Sequence, residues 1–367
     1  MPSIGTNEGA ASPGRQPGDD LGACDLSPGS RPGLAIPSCR VRREKSRYRR
    51  LSDFLRQKFG CRVWKVSVDG NFDCPNRDGT VGRGGCIYCD PASFSPSRRL
   101  AVGQVANLPD MPRQIGNLPH MSITEQLQDG IARLSARHRV DRFVAYFQPA
   151  TNTYAPVEQL RVLYEEALAH PQVVGLVIGT RPDCVPDETL DLLAEFARRT
   201  WVSLELGLQT SHDRTLAWLN RGHHYQAFVG AVERGHRRGL DIGAHVILGL
   251  PGESRDDMQA TARELARLKV HAVKLHNLYA VKGTPLADMV ERGEVALPSL
   301  AEYAGWVVDF LEWLPSECVI DRLSGDAPRQ YLVGPDWCLD KAAILAAIDA
   351  EFARRGTRQG AEATLPS

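Results

Sequence analysis

Three cysteines, Cys74, Cys86 and Cys89, stand together as C-x11-C-x2-C. Thiolates are soft ligands that suit zinc or an iron–sulfur cluster. The loop between them carries Gly79, Gly82, Gly84 and Gly85, which let the backbone curl tightly and approach a bound group. A structural zinc site is closed by four ligands, so zinc would need a distant His or Cys as the fourth. Three thiolates on a 4Fe–4S cluster leave one iron open to bind a substrate or cofactor. Spacing alone leaves both readings standing. Cys24, Cys39, Cys61, Cys184, Cys318 and Cys338 are scattered, and nine is an odd total, so a disulfide framework is not expected. Cys184 and Cys338 could act as reducing or thiol groups, although a buried cysteine more often serves as a small hydrophobe.

The elements that position these residues alternate. Strand-like runs are RVWKVSV, RFVAYFQ, VVGLVIGT, WVSLELGLQ, DIGAHVILGL and AVKLHNLYA, with amphipathic helical runs between them. Two helices open with the capping boxes Ser122-x-x-Glu125 and Ser254-x-x-Asp257. Strands that alternate with helices imply a parallel sheet with right-handed crossovers, and near-continuous apolar strands imply that both faces are covered. The fold class is therefore α/β: a partial, six-stranded (β/α)6 barrel over 46–293, with a doubly wound open sheet as the alternative. The cysteine loop follows the first strand, on the side where (β/α) barrels keep their active sites.

Polar residues on the strands compete for roles at that face. Lys65, Arg181, His245, Lys274 and His276 fall where a barrel interior or rim is expected, and charged groups are rarely buried unpaired. Arg181 precedes Pro182 and Asp183 at the end of the third strand. Its fork suits a carboxylate or phosphate, or a structural pair with an aspartate. His223 and His224 read as loop caps rather than ligands.

The flanks read differently. Residues 1–45 are expected to be a disordered tail with a basic end, because Gly, Pro, Ser and Ala dominate and cannot bury a core. The stretch from Arg40 to Lys65 holds eleven Lys/Arg against two acids, enough to attract a phosphate backbone or simply to solvate a helix face. Within it, Tyr48, Leu51, Leu55 and Phe59 predict an amphipathic helix over 46–59. QVANLPDM recurs almost unchanged as QIGNLPHM, and about 100–121 reads as a surface insertion. Residues 294–357 are expected to form a small α+β C-terminal subdomain and 358–367 a frayed tail. Lys+Arg and Asp+Glu are both 44, so net charge argues neither for nor against a nucleic acid or a membrane. No apolar run approaches the roughly 20 residues of a membrane span, and the first residues lack the apolar core of a secretory signal, so the cytoplasm is the default expectation.

FDCPNRDGTVGRGGCIYC, GTRPDCVPD, ELGLQTSHDRTL, NRGHHY, HVILGLPGE and VKLHNLYAVKGT together resemble the radical S-adenosylmethionine (SAM) superfamily. More narrowly, the chain resembles the bacterial group typified by YhcC and the radical SAM domain of the Elongator catalytic subunit. The acetyltransferase-like domain that follows in the Elongator subunit is not expected within these 367 residues, which puts an Elongator-type reaction in doubt. The resemblance implies that Cys74, Cys86 and Cys89 hold a 4Fe–4S cluster whose open iron chelates SAM. It implies that one electron, from a donor such as flavodoxin or ferredoxin, breaks a sulfur–carbon bond. The resulting 5′-deoxyadenosyl radical takes a hydrogen atom from the substrate. It places Tyr88 along the adenosine and backbone near Gln148 at the SAM amino group, where Tyr146-Phe147-Gln148-Pro149 keeps only the proline of the family's Gly-Gly-Glu-Pro. It puts Glu205 and Gln209 at the ribose and methionyl groups, and the Ile247–Gly249 backbone against the adenine. Arg181 would pair with the SAM carboxylate. The Elongator resemblance and the basic stretch favour tRNA as the substrate. A non-catalytic carrier or assembly factor that binds the cluster and SAM is the alternative.

Overall fold

The computed structural model describes residues 46–94 and 121–363. The expected disordered tail, the duplicated insertion and the last four residues lie outside them. Six parallel strands neighbour one another in chain order: β1 (Val63–Val68), β2 (Arg142–Phe147), β3 (Val173–Thr180), β4 (Trp201–Gln209), β5 (Asp241–Leu248) and β6 (Ala272–Asn277). Helices Ile123–His138, Val157–Leu168, Asp187–Ala197, Tyr225–Arg237 and Arg255–Arg267 supply the crossovers. The sequential order excludes the doubly wound alternative, whose order reverses at a switch point. Both expected capping boxes form, with Ser122 and Ser254 each accepting from the backbone N–H three residues on.

A seventh strand, Val319–Arg322, pairs in parallel with β6 and extends the barrel sheet. It comes from the C-terminal part of the chain, which is thus built onto the barrel edge. That part otherwise packs helix Leu300–Trp313 against Arg255–Arg267 and Lys341–Arg355, where Asp309 pairs with both Arg255 and Arg355. Two short runs, Ala280–Val281 and Leu332–Gly334, form a separate antiparallel pair.

Two expectations are corrected. The first helix starts at Leu51, not Ser46, because the preceding backbone has other work: Arg50 is extended and bridges Ile320 on the edge strand. That contact also covers an otherwise open strand edge. Residues 358–363 are not frayed. Gln359 is 4% exposed; its side chain accepts from the Arg49 N–H and donates to the Pro315 and Cys318 carbonyls.

In β4 all nine residues are buried, yet their chemistry alternates. Val202, Leu204, Leu206 and Leu208 join the main apolar core. Ser203, Glu205, Gly207 and Gln209 share the opposite face, since side chains alternate along a strand. That face lines the barrel interior, and it is polar because it faces other polar side chains rather than helices.

Candidate active site

The cysteine loop is fastened by the segment after helix Asp213–Trp218. Ile87 N–H donates to the Leu219 carbonyl, and Asn220 Nδ2 donates to the Gly85 carbonyl at 2.7 Å. Asn76, fully buried, bonds back to the Asn220 carbonyl. Gly82 and Gly222 are required here: a Cβ at either would meet Asn76 Oδ1 at 2.4 or 2.8 Å. Arg221 then ties three parts together. Its Nη2 donates to the Gly207 carbonyl on β4 at 2.6 Å, and its Nη1 lies 3.2 Å from Cys86 Sγ and 3.3 Å from Tyr88 Oη.

These residues form one wall of a cavity of about 660 Å³ at the C-terminal ends of the strands. Cys74, Cys86 and Cys89 all line it. So do Tyr88, Gln148, Arg181, Gln209 and Ile247 of the residues expected around SAM. Gln148 Nε2 donates to Ser67 Oγ at 3.0 Å. Gln209 sits at φ +77, a strained conformation for a residue with a side chain, at a register shift in β4. Arg181 is 3% exposed and forks onto Asp183, through Nε at 3.0 Å and Nη2 at 2.8 Å, while its Nη1 is buried without a partner.

Two expected SAM contacts lie elsewhere. Glu205 is four residues before Gln209, roughly 13 Å down the strand, and does not itself line the cavity. Both of its oxygens are engaged, by Lys65 Nζ and His245 Nε2, each at 2.7 Å, with Lys274 Nζ at 3.5 Å. Burial would raise its pKa, but the Lys274 and Lys65 charges and the His245 bond hold it well below the carboxylate range. Gly249 is likewise off the wall. It turns the chain at φ +83, packed so closely that a Cβ would meet the Trp306 ring at 2.7 Å.

The other candidates sort by depth. His245, Lys274 and His276 line the cavity, and Lys65 lies beneath it, held by Glu205 and Asp321. His224 occupies an N-cap position without a side-chain cap, a task Asp213 performs for Tyr225 N–H. His223 is pushed down to about 3 by burial and the Arg221 charge. Burial pushes the Cys184 and Cys338 thiols up to about 12 and about 11, which fits small hydrophobes better than reactive groups. The signal for Arg221 in the sequence is faint: it lies within NRGHHY, between a turn-forming Asn and Gly.

The donor set fits an iron–sulfur cluster. Among the described residues no three His, Cys, Asp or Glu side chains converge on a single ion's position. The three thiols share one cavity wall, and thiolates are the ligands that iron–sulfur clusters take. Burial alone would raise the Cys86 thiol, but the Arg221 charge and hydrogen bond outweigh it and hold it below its usual value. Burial and the Cys86 charge push Cys89 up to about 12, a thiol that metal binding would deprotonate. Among the described residues nine side-chain polar atoms are buried without a partner, and six belong to cavity-wall residues: Thr151, Asn152, Arg181, Arg221, Asn277 and Arg322. Such atoms are rare in native interiors, so their concentration marks a site shaped for polar ligands.

Comparison with known proteins agrees. The family model described as the radical SAM superfamily matches residues 78–265, and the radical SAM C-terminal domain matches 270–354. The chain is 42% identical to the uncharacterised protein YtqA of Bacillus subtilis over 86% of its own length and 92% of that protein's. It is 37% identical to YhcC of Escherichia coli, over 84% and 93%. Its fold is similar to that of Elp3 from the archaeon Methanocaldococcus infernus, with a TM-score of 0.60 at 17% identity, over 81% of this chain and 64% of that one. Motif, barrel and relatives converge: this chain belongs to the radical SAM superfamily.

Proposed function

We propose that the chain is an enzyme that cleaves SAM reductively at a 4Fe–4S cluster held by Cys74, Cys86 and Cys89. Superfamily members bind this cluster and SAM, and generally need an external electron donor. When bound, the pair supplies a 5′-deoxyadenosyl radical that abstracts hydrogen from a substrate. The protein's part is to bind, orient and exclude water.

The observation that carries this reading is the set of three cysteines on the wall of one deep cavity, beside unpartnered polar groups. Arg221 fixes Cys86 and Tyr88 relative to the end of β4. Arg181 is the candidate for the SAM carboxylate, since Asp183 orients its guanidinium and leaves Nη1 unpartnered. Tyr88, Gln148, Gln209 and Ile247 complete the SAM wall. Iron and sulfide content after anaerobic reconstitution, then 5′-deoxyadenosine release on reduction, test the reading. A protein that binds cluster and SAM but releases none is the non-catalytic carrier.

Within this reading tRNA is the substrate we favour. The support is the motif resemblance to Elongator and the exposed Arg50, Arg56, Lys58 and Arg62. Part of the basic stretch serves the fold instead: Arg47 and Arg49 bond to the Thr357 and Glu317 carbonyls, and the partly buried Lys65 is held between Glu205 and Asp321. Comparing modified nucleosides in tRNA from wild-type and deletion cells tests this. Identical profiles would remove tRNA. Among the described residues no helix is long and apolar enough to cross a membrane.

A further inference from the structure

We propose that the part of the cavity walled by β6 and the edge strand Val319–Arg322 is a subsite for a compact monoanion on the substrate, a carboxylate or a phosphodiester, held by Arg322 and Lys274. This rests on the reading of the cavity as the reaction site.

The argument is one of charge assignment. Two carboxylates beneath the cavity, Glu205 and Asp321, are set against Lys65 and Lys274, and Arg322 stands beside Lys274 on the cavity wall. Lys65 takes both carboxylates at 2.7 Å, and His245 takes the second oxygen of Glu205 at 2.7 Å. Lys274 is left with long contacts, 3.5 Å to Glu205 and 3.9 Å to Asp321. Its short bond, 2.7 Å, goes to the neutral phenol of Tyr146.

Arg322 has less. Among the described residues it makes no ion pair; its Nη2 meets only the His276 ring at 2.9 Å, and its Nε is buried without a partner. His276 cannot offset that charge. The remaining carboxylate on this wall, Asp326, is paired with Lys341 at 3.1 Å. A partly buried guanidinium without a counter-charge is costly unless something else supplies one. Register places the two cations together, since Lys274 pairs with Arg322 across the strands. Both line the cavity, whereas Arg181, the SAM candidate, stands at the end of β3.

The test uses the anaerobically reconstituted full chain. Thermal stabilisation by sodium acetate and by dimethyl phosphate is titrated against chloride at matched ionic strength, in the wild type, Arg322→Gln and Arg322→Lys. The wild type should be stabilised by one probe beyond chloride, and that probe tells a carboxylate substrate from a phosphodiester. Arg322→Gln should weaken the effect roughly tenfold, the value of one charge-assisted bond. Arg322→Lys, which keeps the charge, should retain part of it and serves if the Gln variant does not fold. SAM affinity should be unchanged in both. No stabilisation beyond chloride, an undiminished effect in Arg322→Gln, or lost SAM affinity would each overturn the subsite. If the wild type releases no 5′-deoxyadenosine, it is the enzyme reading that fails, and the two failures are separable.

Discussion

Glu205→Gln separates a ligand from a foundation. In this structure Glu205 is the shared counter-charge for Lys65 and Lys274 and the acceptor for His245, with its side chain almost fully buried. Gln preserves shape, so no cavity opens; what is lost is charge. Asp321 alone then faces two lysines. Removing one partner of a buried pair destabilises by about 3–5 kcal/mol, and the retained amide acceptor favours the lower figure. At roughly 2 °C per kcal/mol for a large domain, the melting point should fall by about 6 °C or more. The assay is thermal denaturation followed by circular dichroism, with iron content and a SAM titration on the same samples. Iron and SAM affinity should stay within about twofold of wild type, because Glu205 touches none of the thiols and does not itself line the cavity, supporting His245 and Lys274 from below. The pH dependence follows from the depressed carboxyl. Its contribution is fully present above the unfolded value of about 4.3 and is lost as pH falls through the folded value. The difference between wild type and variant should therefore be the same at neutral and mildly acidic pH and shrink only in strong acid. An unchanged melting point with tenfold weaker SAM binding would refute the placement of Glu205 and return it to the SAM pocket.

Changing Cys74, Cys86 and Cys89 together to Ala should abolish iron and sulfide binding; zinc in the reconstituted wild type instead would favour the structural-site reading. Arg181→Ala should keep full iron content and lose SAM affinity roughly tenfold to a hundredfold in a titration, the range expected for a charge-assisted bond. Gly249→Ala should cost about 1–3 kcal/mol from the left-handed backbone alone, read as a lowered denaturation midpoint with SAM affinity intact. Burial pushes Lys274 down to about 8 despite its neighbouring carboxylates, so between pH 8 and 10 the unfolded chain holds more protons there. Wild-type stability relative to Lys274→Met should therefore rise across that window, by about 3 kcal/mol at most, measured by urea denaturation at stepped pH.

The cysteine motif was legible because it is local: spacing within one loop is a property of the chain itself. The six barrel strands and the two capping boxes were legible for the same reason, since apolar runs and a Ser three residues before an acid are short-range signals. Alternation along β4 told which face Glu205 and Gln209 share. It could not tell their depth, because depth depends on where neighbouring strands end; Gln209 reached the cavity and Glu205 did not. Nor could sequence assign the charges beneath the floor. Lys65, Glu205, Lys274 and Asp321 are brought together by parallel register, and which lysine takes both carboxylates is decided by contacts of 2.7 Å for Lys65 against 3.5 and 3.9 Å for Lys274. Arg221 meets Cys86 across 135 residues of chain and Gln359 meets Arg49 across 310. Such pairings leave no periodic trace, because tertiary closure alone brings the partners within bonding distance. The sequence by itself determined the barrel and the cysteine motif on which the proposed cluster rests; the folded chain decided which polar residues line the cavity and which support it from below.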